Sequence, residues 1–460
     1  MTVRLYDTLT RSLKEISSSK ENVSMYCCGP TVYRDVHVGN LRTFLLSDLI
    51  RRTLLLNGYT VNSVQNITDV GHLSEDFAED KILKQSQLEN SNPYLIARKY
   101  EHGFHQDLAA LNILPADHTP RASDHIQLMQ ELISKLIELG HAYIGSDESV
   151  YFDASSFPEY GEISRNRLDA LKPGHRYEYT ENGGKHFHAD WALWKAAGNR
   201  MDMIWDSPWG WGFPGWHIEC SAMSLHYLNN HVNIHVGGID LRFPHHENER
   251  AQSNSVMGNE CVDLWVHGEH LLFEGRKMSK SSGNVVQLKN VSDRKYDPLA
   301  LRLTFLENRY QSQMNLSWES IEAANTTLKR WRALVASQPM LARVSVPNSE
   351  IASALNEDLD TPRALQVLRA LERNPNSSLD EKIGAFLFAD QVLGLDLDQV
   401  AIEIEVPAEI QQLLELRTEA RSRQDWKESD RVRIELELLG LEIQDTSYGQ
   451  EWAWRTVKPE

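Results

Sequence analysis

The stretch "FPHHENER", Phe243 to Arg250, sets two histidines and two glutamates behind a proline. These residue types ligate metals. Proline favours the first turn of a helix, so the spacing predicts a helix from Pro244 with His245 and Glu249, four apart, on one face. The His-Glu-x-x-His pattern of zinc proteases is not met, because position 249 is glutamate. Taken alone, the pair also reads as a solvated, charged first turn. A metal site needs ligands from elsewhere, and thiols are available at Cys27, Cys28, Cys220 and Cys261. Four scattered cysteines make no disulfide framework. Cys27 and Cys28 are strand neighbours pointing to opposite faces, so only one can reach a metal. Cys261 opens an alternating strand and reads as a small buried residue.

Two further stretches could handle phosphate. "HVGN", His37 to Asn40, lies between a strand and a helix, where main-chain N–H groups and the positive helix end attract anions. An imidazole there can donate to a phosphoryl oxygen; the plain alternative is a capping turn with an incidental histidine. "RKMSKSSGN", Arg276 to Asn284, carries Arg276, Lys277 and Lys280 on a stretch of small residues after a strand. Mobile ammonium groups there could hold the charge growing on departing pyrophosphate, or could decorate an ordinary basic loop.

The elements that must position these groups read as α/β. "VSMYCCGPTVY" is a strand ending at Gly29-Pro30, "NLRTFLLSDLIRRTLLLNGY" a helix stopped by Gly58, and "VNSVQNITD" a second strand. "HVNIHV" and "VDLWVH" repeat the strand alternation, favouring a Rossmann-type parallel sheet. We expect the halves of this sheet in 1–124 and 206–260, interrupted by an aromatic-, Gly- and Pro-rich connective insertion, 125–205. Residues 261–310 would hold the basic loop, 311–400 an α-helical bundle in which Thr361 caps the "DTPRALQVLRALER" helix, and 401–460 a small C-terminal domain. The chain has 460 residues, 41% hydrophobic, enough for several domains. No apolar run approaches the roughly 20 residues of a membrane helix. The N-terminus lacks a signal-peptide stretch, which predicts a cytoplasmic protein with no membrane partner. A net charge of −18 argues against wholesale polyanion binding, while leaving room for local basic faces.

"HVGN" paired with "KMSKS" resembles the HIGH and KMSKS signatures of class I aminoacyl-tRNA synthetases. With "LYDTLTR", "MYCCGPTVY", "ITDV", "YFDASSFPEYG", "GWHIECSAMS", "FPHHENERAQS" and "DWKESDRVR", the chain is similar to the cysteinyl-tRNA synthetases over nearly its whole length. That resemblance implies a ligase, working as a monomer, that activates L-cysteine with ATP and Mg2+ and transfers it to tRNA(Cys). It implies one Zn2+ on Cys28, Cys220, His245 and Glu249. Cysteine and serine differ by one atom, but zinc is borderline soft and deprotonates a coordinating thiol outright, which a hydroxyl cannot match. No separate editing domain is expected.

The resemblance further implies nucleotide contacts from His37, Gly39, Asn40, Lys277, Met278, Ser279, Lys280 and Ser281, with His37, Asn40, Lys277 and Lys280 catalytic. Thr31, Thr68, Trp216, His235 and Asp240 would surround the amino acid. Arg423, Trp426, Lys427, Asp430, Arg431 and Trp452 would meet the anticodon; by helical periodicity Arg417, Arg421, Arg423, Lys427 and Arg431 fall largely on one side of one long helix, which serves surface salt bridging as readily as RNA contact. Two departures stand out: Asn40 replaces the final histidine of HIGH, and "VGHLSEDFAED" intervenes before "KILK" as a lid or a neutral insertion. The competing readings are a mycothiol-pathway cysteine–amino-sugar ligase, whose relatives lack most of the C-terminal module, and a non-catalytic RNA-binding relative.

Overall fold

The computed structural model describes residues 2–16, 22–70, 80–166, 168, 184–278, 284–398, 408–439, 441–446 and 449–454. The four alternating stretches form one parallel sheet, ordered Val262–Gly268, Val232–Gly238, Val23–Cys27, Val61–Gln65. Chain order runs outward from the central pair. The switch point therefore lies between Val23–Cys27 and Val232–Gly238, the place where open α/β sheets bind their ligands, beyond the carboxyl ends of the strands. Helix Val38–Leu56 follows the first strand, with Leu41, Leu45 and Leu49 buried, and Gly58, at φ +80°, takes the chain out of it.

The insertion builds its own antiparallel sheet from Ala142–Ile144, Val150–Phe152, Trp191–Ala196 and Gly212–Pro214, so its last strand lies past residue 205. A hairpin, Arg4–Asp7 with Ser12–Glu15, braces the sheet edge, where Asp7 Oδ1 accepts the Trp265 N–H at 3.0 Å.

Helices Trp318–Ala336, Ser349–Asn356, Thr361–Arg373 and Leu379–Leu393 follow, and their apolar faces belong to the same core as the sheet and helix Val38–Leu56. Buried Arg302 fastens the two parts. Its guanidinium donates to Asp48 Oδ2 at 2.6 Å and to the carbonyls of Leu111, Asn112, Leu393 and Val392.

Two expectations are corrected here. The cap of helix Thr361–Arg373 is Asp360, whose carboxylate accepts the Arg363 N–H at 3.2 Å, while the Thr361 hydroxyl donates to Leu306 O. The long C-terminal helix is two helices, Ala408–Ser422 and Trp426–Leu438, broken where Gln424 turns to φ +57° and Asp425 caps the second. A hairpin, Leu441–Thr446 with Gly449–Trp454, completes that unit around a separate small core.

Candidate metal centre and active site

Four separate elements converge at the end of the central strands. Cys28 leaves strand Val23–Cys27 with its N–H still bonded to Val236 O at 3.2 Å. Helix Trp216–Tyr227 brings Cys220, the turn Arg242–His246 brings His245, and helix Glu247–Met257 brings Glu249. Phe243 is extended at φ −141°, ψ 131°, and helical geometry follows from Pro244, whose carbonyl accepts the Glu247 N–H, while the His246 N–H reaches back to Leu241 O at 2.8 Å. His245 Nε2 lies 3.1 Å from Glu249 Oε1.

Cys28 Sγ is 3.9 Å from Cys220 Sγ and 3.4 Å from Glu249 Oε1. Ions bound at about 2.0–2.3 Å in a tetrahedron hold their ligands roughly 3.3–3.8 Å apart, so this donor set fits a divalent metal. All four residues are buried, and Glu249 Oε2 has no hydrogen-bond partner among the described residues. Cys27 faces the opposite side of the sheet, 3.7 Å from Gln65 Nε2, where burial raises its thiol to about 11. Cys261 is fully buried just before strand Val262–Gly268.

The cluster is larger than the sequence suggested. His235 Nε2 and His246 Nε2 each lie 3.4 Å from Cys28 Sγ, so Cys28, His235, His246 and Glu249 form a second overlapping group of ligand type. His235, expected around the amino acid, stands against the metal cluster. His246 Nδ1 meets His267 Nε2 at 2.7 Å, and His267 Nδ1 meets Thr8 Oγ1 at 2.8 Å. Burial drives His235 down to about 4, although Glu249 opposes it. For His245 burial is outweighed by Glu249 and Cys220, which raise it to about 10. Burial works against ionising Cys220 too, but hydrogen bonds from Cys28 and His245 bring it down to about 7, while burial and its neighbour hold Cys28 well above the usual thiol. Glu219, missed in the sequence, is wholly buried; burial first, then Cys220, pushes its carboxyl well above the usual range. An acid directly before the cysteine in "WHIECSAM", inside helix Trp216–Tyr227, was the available signal.

Around this cluster, Thr31 and Thr68 form an isolated parallel bridge, and the Trp216 ring lies 4.3 Å from that of His245. Asp240 is exposed after strand Val232–Gly238, and its charge is felt at His37.

His37 caps helix Val38–Leu56. Its Nδ1 accepts the Asn40 N–H at 3.2 Å, and Asn40 Oδ1 accepts the His37 N–H at 3.2 Å. Asn40 thus completes a reciprocal capping box. Burial, then Arg34, lowers the His37 pKa, and with Nδ1 accepting, the neutral ring carries its proton on Nε2. A Cβ on Gly39 would sit 3.0 Å from both the His37 ring and Met278 Cε, so this glycine lets the two motifs meet. Lys277 belongs to the short strand Arg276–Lys277, and its carbonyl accepts from Asn284 Nδ2 at 3.1 Å. Ser279, Lys280 and Ser281 lie outside the described residues, as do positions 71–79 of the acidic stretch.

In the C-terminal unit, Trp426 is 57% exposed with the Arg421 guanidinium 5.8 Å from its ring. Lys427 and Asp430 are exposed, Arg423 lies 3.9 Å from Glu419, and Arg431 pairs with Glu428 and Glu435 at 2.8 and 2.9 Å. Trp452 stands opposite Ile443 in the hairpin. Arg417 departs from the expected basic side, because it is buried with Nη1 2.7 Å from Gln450 Oε1.

Residues 14–326 match the family model of the class I (C) tRNA synthetase catalytic domain, and residues 404–452 that of the cysteinyl-tRNA ligase anticodon binding domain. The chain is 42% identical to cysteine–tRNA ligase 1 of Burkholderia lata over 98% of this chain and 96% of the relative. It is 40% identical to the cysteine–tRNA ligase of Thermus thermophilus over 97% and 98% respectively. By fold, it resembles the LeuRS–tRNA–LeuAMS complex of Agrobacterium radiobacter at a TM-score of 0.61 and 11% identity, over 82% of this chain and 84% of the other. It also resembles methionyl-tRNA synthetase of Mycobacterium tuberculosis at 0.55 and 15%, over 82% and 90%. The parallel sheet together with the catalytic-domain match over residues 14–326 defines a class I aminoacyl-tRNA synthetase, a ligase. The chain belongs to the cysteine–tRNA ligase family.

Proposed function

We propose that this enzyme joins L-cysteine to ATP as cysteinyl-adenylate and passes the cysteinyl group to the 3' end of tRNA(Cys), with Zn2+ held by Cys28, Cys220, His245 and Glu249. One observation carries the reading: two thiols, an imidazole and a carboxylate are buried together beside the switch point. Zinc there supplies a soft centre that favours a substrate thiolate over a hydroxyl. Trp216 and Thr31 border the amino acid. The cysteine carboxylate attacks the α-phosphorus, and pyrophosphate leaves with its Mg2+. His37 stabilises the charge on the phosphoryl oxygens through its Nε2–H, which the Asn40 cap aims outward. Gly39 leaves room for the nucleotide-side loop, where Lys277, Met278, Ser279, Lys280 and Ser281 contact ATP and Lys280 follows the departing charge. Asp240 meets the substrate or adenylate.

We assign the catalytic halves to 1–124 and 215–260, the connective insertion to 125–214 so that it keeps strand Gly212–Pro214, the KMSKS region to 261–310, the bundle to 311–400 and anticodon recognition to 401–460. Arg423, Trp426, Lys427, Asp430, Arg431 and Trp452 contact tRNA in that last unit. The enzyme works as a cytoplasmic monomer, and among the described residues no helix is long and apolar enough to cross a membrane.

The test is cysteine-dependent exchange of pyrophosphate into ATP, then charging of total tRNA, with metal content measured alongside. Wild type is expected to exchange, to charge and to hold one zinc. Cys28→Ser and Cys220→Ser lose the zinc, and Cys27→Ser keeps it. Exchange without charging would leave an amino-sugar ligase, and stoichiometric zinc in Cys28→Ser would refute the ligand set.

A further inference from the structure

Each of the two candidate sulfur ligands has a chain neighbour in a single buried run of hydrogen bonds. The Gly29 N–H, next to Cys28, donates to Asn66 Oδ1 at 2.8 Å. Asn66 Nδ2 donates to Thr68 Oγ1 at 3.2 Å, and the Thr68 hydroxyl donates to Glu219 Oε2 at 2.9 Å. Glu219 immediately precedes Cys220. Asn66, Thr68 and Glu219 are all at most 1% exposed. The three donors point the same way along the run, an arrangement in which each bond polarises the next.

Backbone packing pins the same place. A Cβ on Gly29 would fall 1.6 Å from Asn66 O, so the segment leaving the Cys28 strand lies against the segment leaving strand Val61–Gln65. The Thr68 N–H donates to Pro30 O and the Val32 N–H to Thr68 O, both at 3.1 Å. Helix Trp216–Tyr227 is distant in sequence, with 151 positions separating Thr68 from Glu219, and the hydroxyl–carboxyl bond ties it to this sheet end. The hydroxyl hydrogen of Thr68 is committed to Glu219, so this threonine acts on the site through geometry.

We propose that Asn66, Thr68 and Glu219 are positioning residues that fix the separation of the Cys28 and Cys220 sulfurs, and thereby how tightly zinc is held and how well thiol is separated from hydroxyl. The proposal rests on the zinc reading above and adds the residues that tune it. Residues supporting metal ligands typically change metal affinity 10–100-fold when lost.

The full-length protein is titrated with zinc against a chromophoric chelator, and with cobalt(II) in its place to read the ligand-field spectrum. Asn66→Ala, Glu219→Ala and the isosteric Thr68→Val are expected to weaken zinc about 10–100-fold and to shift the cobalt bands. Their cysteine-over-serine ratio in pyrophosphate exchange falls as well. Glu219→Gln keeps an acceptor for Thr68 and restores both affinity and spectrum. Folded Thr68→Val with wild-type affinity and spectrum overturns the proposal, and so does Glu219→Gln behaving like Glu219→Ala. Absence of zinc from the wild type would instead remove the metal reading itself.

Discussion

His267 illustrates how burial sets charge around the Cys28–Cys220–His245–Glu249 cluster. Burial first, then His235 and Arg242, lowers its pKa from 6.5 to about 3. The folded value lies below the unfolded one. The neutral ring's contribution is therefore fully present above about pH 6.5 and is lost as pH falls from there towards 3. At roughly 1.4 kcal/mol per unit, full titration is worth on the order of 5 kcal/mol. Urea midpoints of the wild type should drop through this window, and His267→Gln should show a shallower fall; equal slopes would contradict the assignment. Cys28, Cys220, His245 and Glu249 were legible as a set only through the family resemblance, because a His-x-x-x-Glu spacing by itself suits a charged first turn and the two thiols lie far apart in the chain. His246 and His267 were not, since a single histidine in an apolar strand or beside another histidine carries no pattern of its own. Only the register of Val262–Gly268 on Val232–Gly238 brings His267 within reach of the cluster.

At the scale of elements, alternation and Gly58 were enough to read the sheet and helix Val38–Leu56, because period-two and period-3.6 burial leave strong traces. Boundaries set by backbone geometry were harder. The turn Arg242–His246 and the break at Gln424 both lie inside runs whose composition suits a helix, and a local φ/ψ change interrupts them. The pairing of Asp48 with Arg302 was likewise invisible, since the two lie 254 positions apart. This tie joins the helix capped by His37 to the bundle, and both side chains are wholly buried. Asp48→Ala strands a buried guanidinium, which typically costs 3–5 kcal/mol; about that loss is expected in chemical denaturation. The double variant Asp48→Ala, Arg302→Met should recover part of it. A loss below about 1 kcal/mol, the range of exposed pairs, would show that the tie is dispensable.

For the whole molecule, the apolar clusters mark what can be separated. One core runs from the parallel sheet into the helices up to Leu397, so the bundle and the catalytic sheet share their interior. Ile410, Leu414, Val432, Leu436, Leu441 and Ile443 form a core of their own. Removing residues 401–460 should therefore leave cysteine-dependent exchange within about twofold of wild type and cut tRNA charging at least tenfold, a gap on the order of 1.4 kcal/mol or more. Parallel loss of both activities would show that the two parts depend on each other. The distance along the chain between the sulfurs has a further consequence for how the protein is made. Cys220 is synthesised 192 residues after Cys28, and the whole inserted sheet emerges between the two. Contacts of such long range close late. Until Cys220 emerges, the one other thiol made is Cys27, which faces the opposite side of the sheet, so the sulfur pair of this site closes only once helix Trp216–Tyr227 has docked.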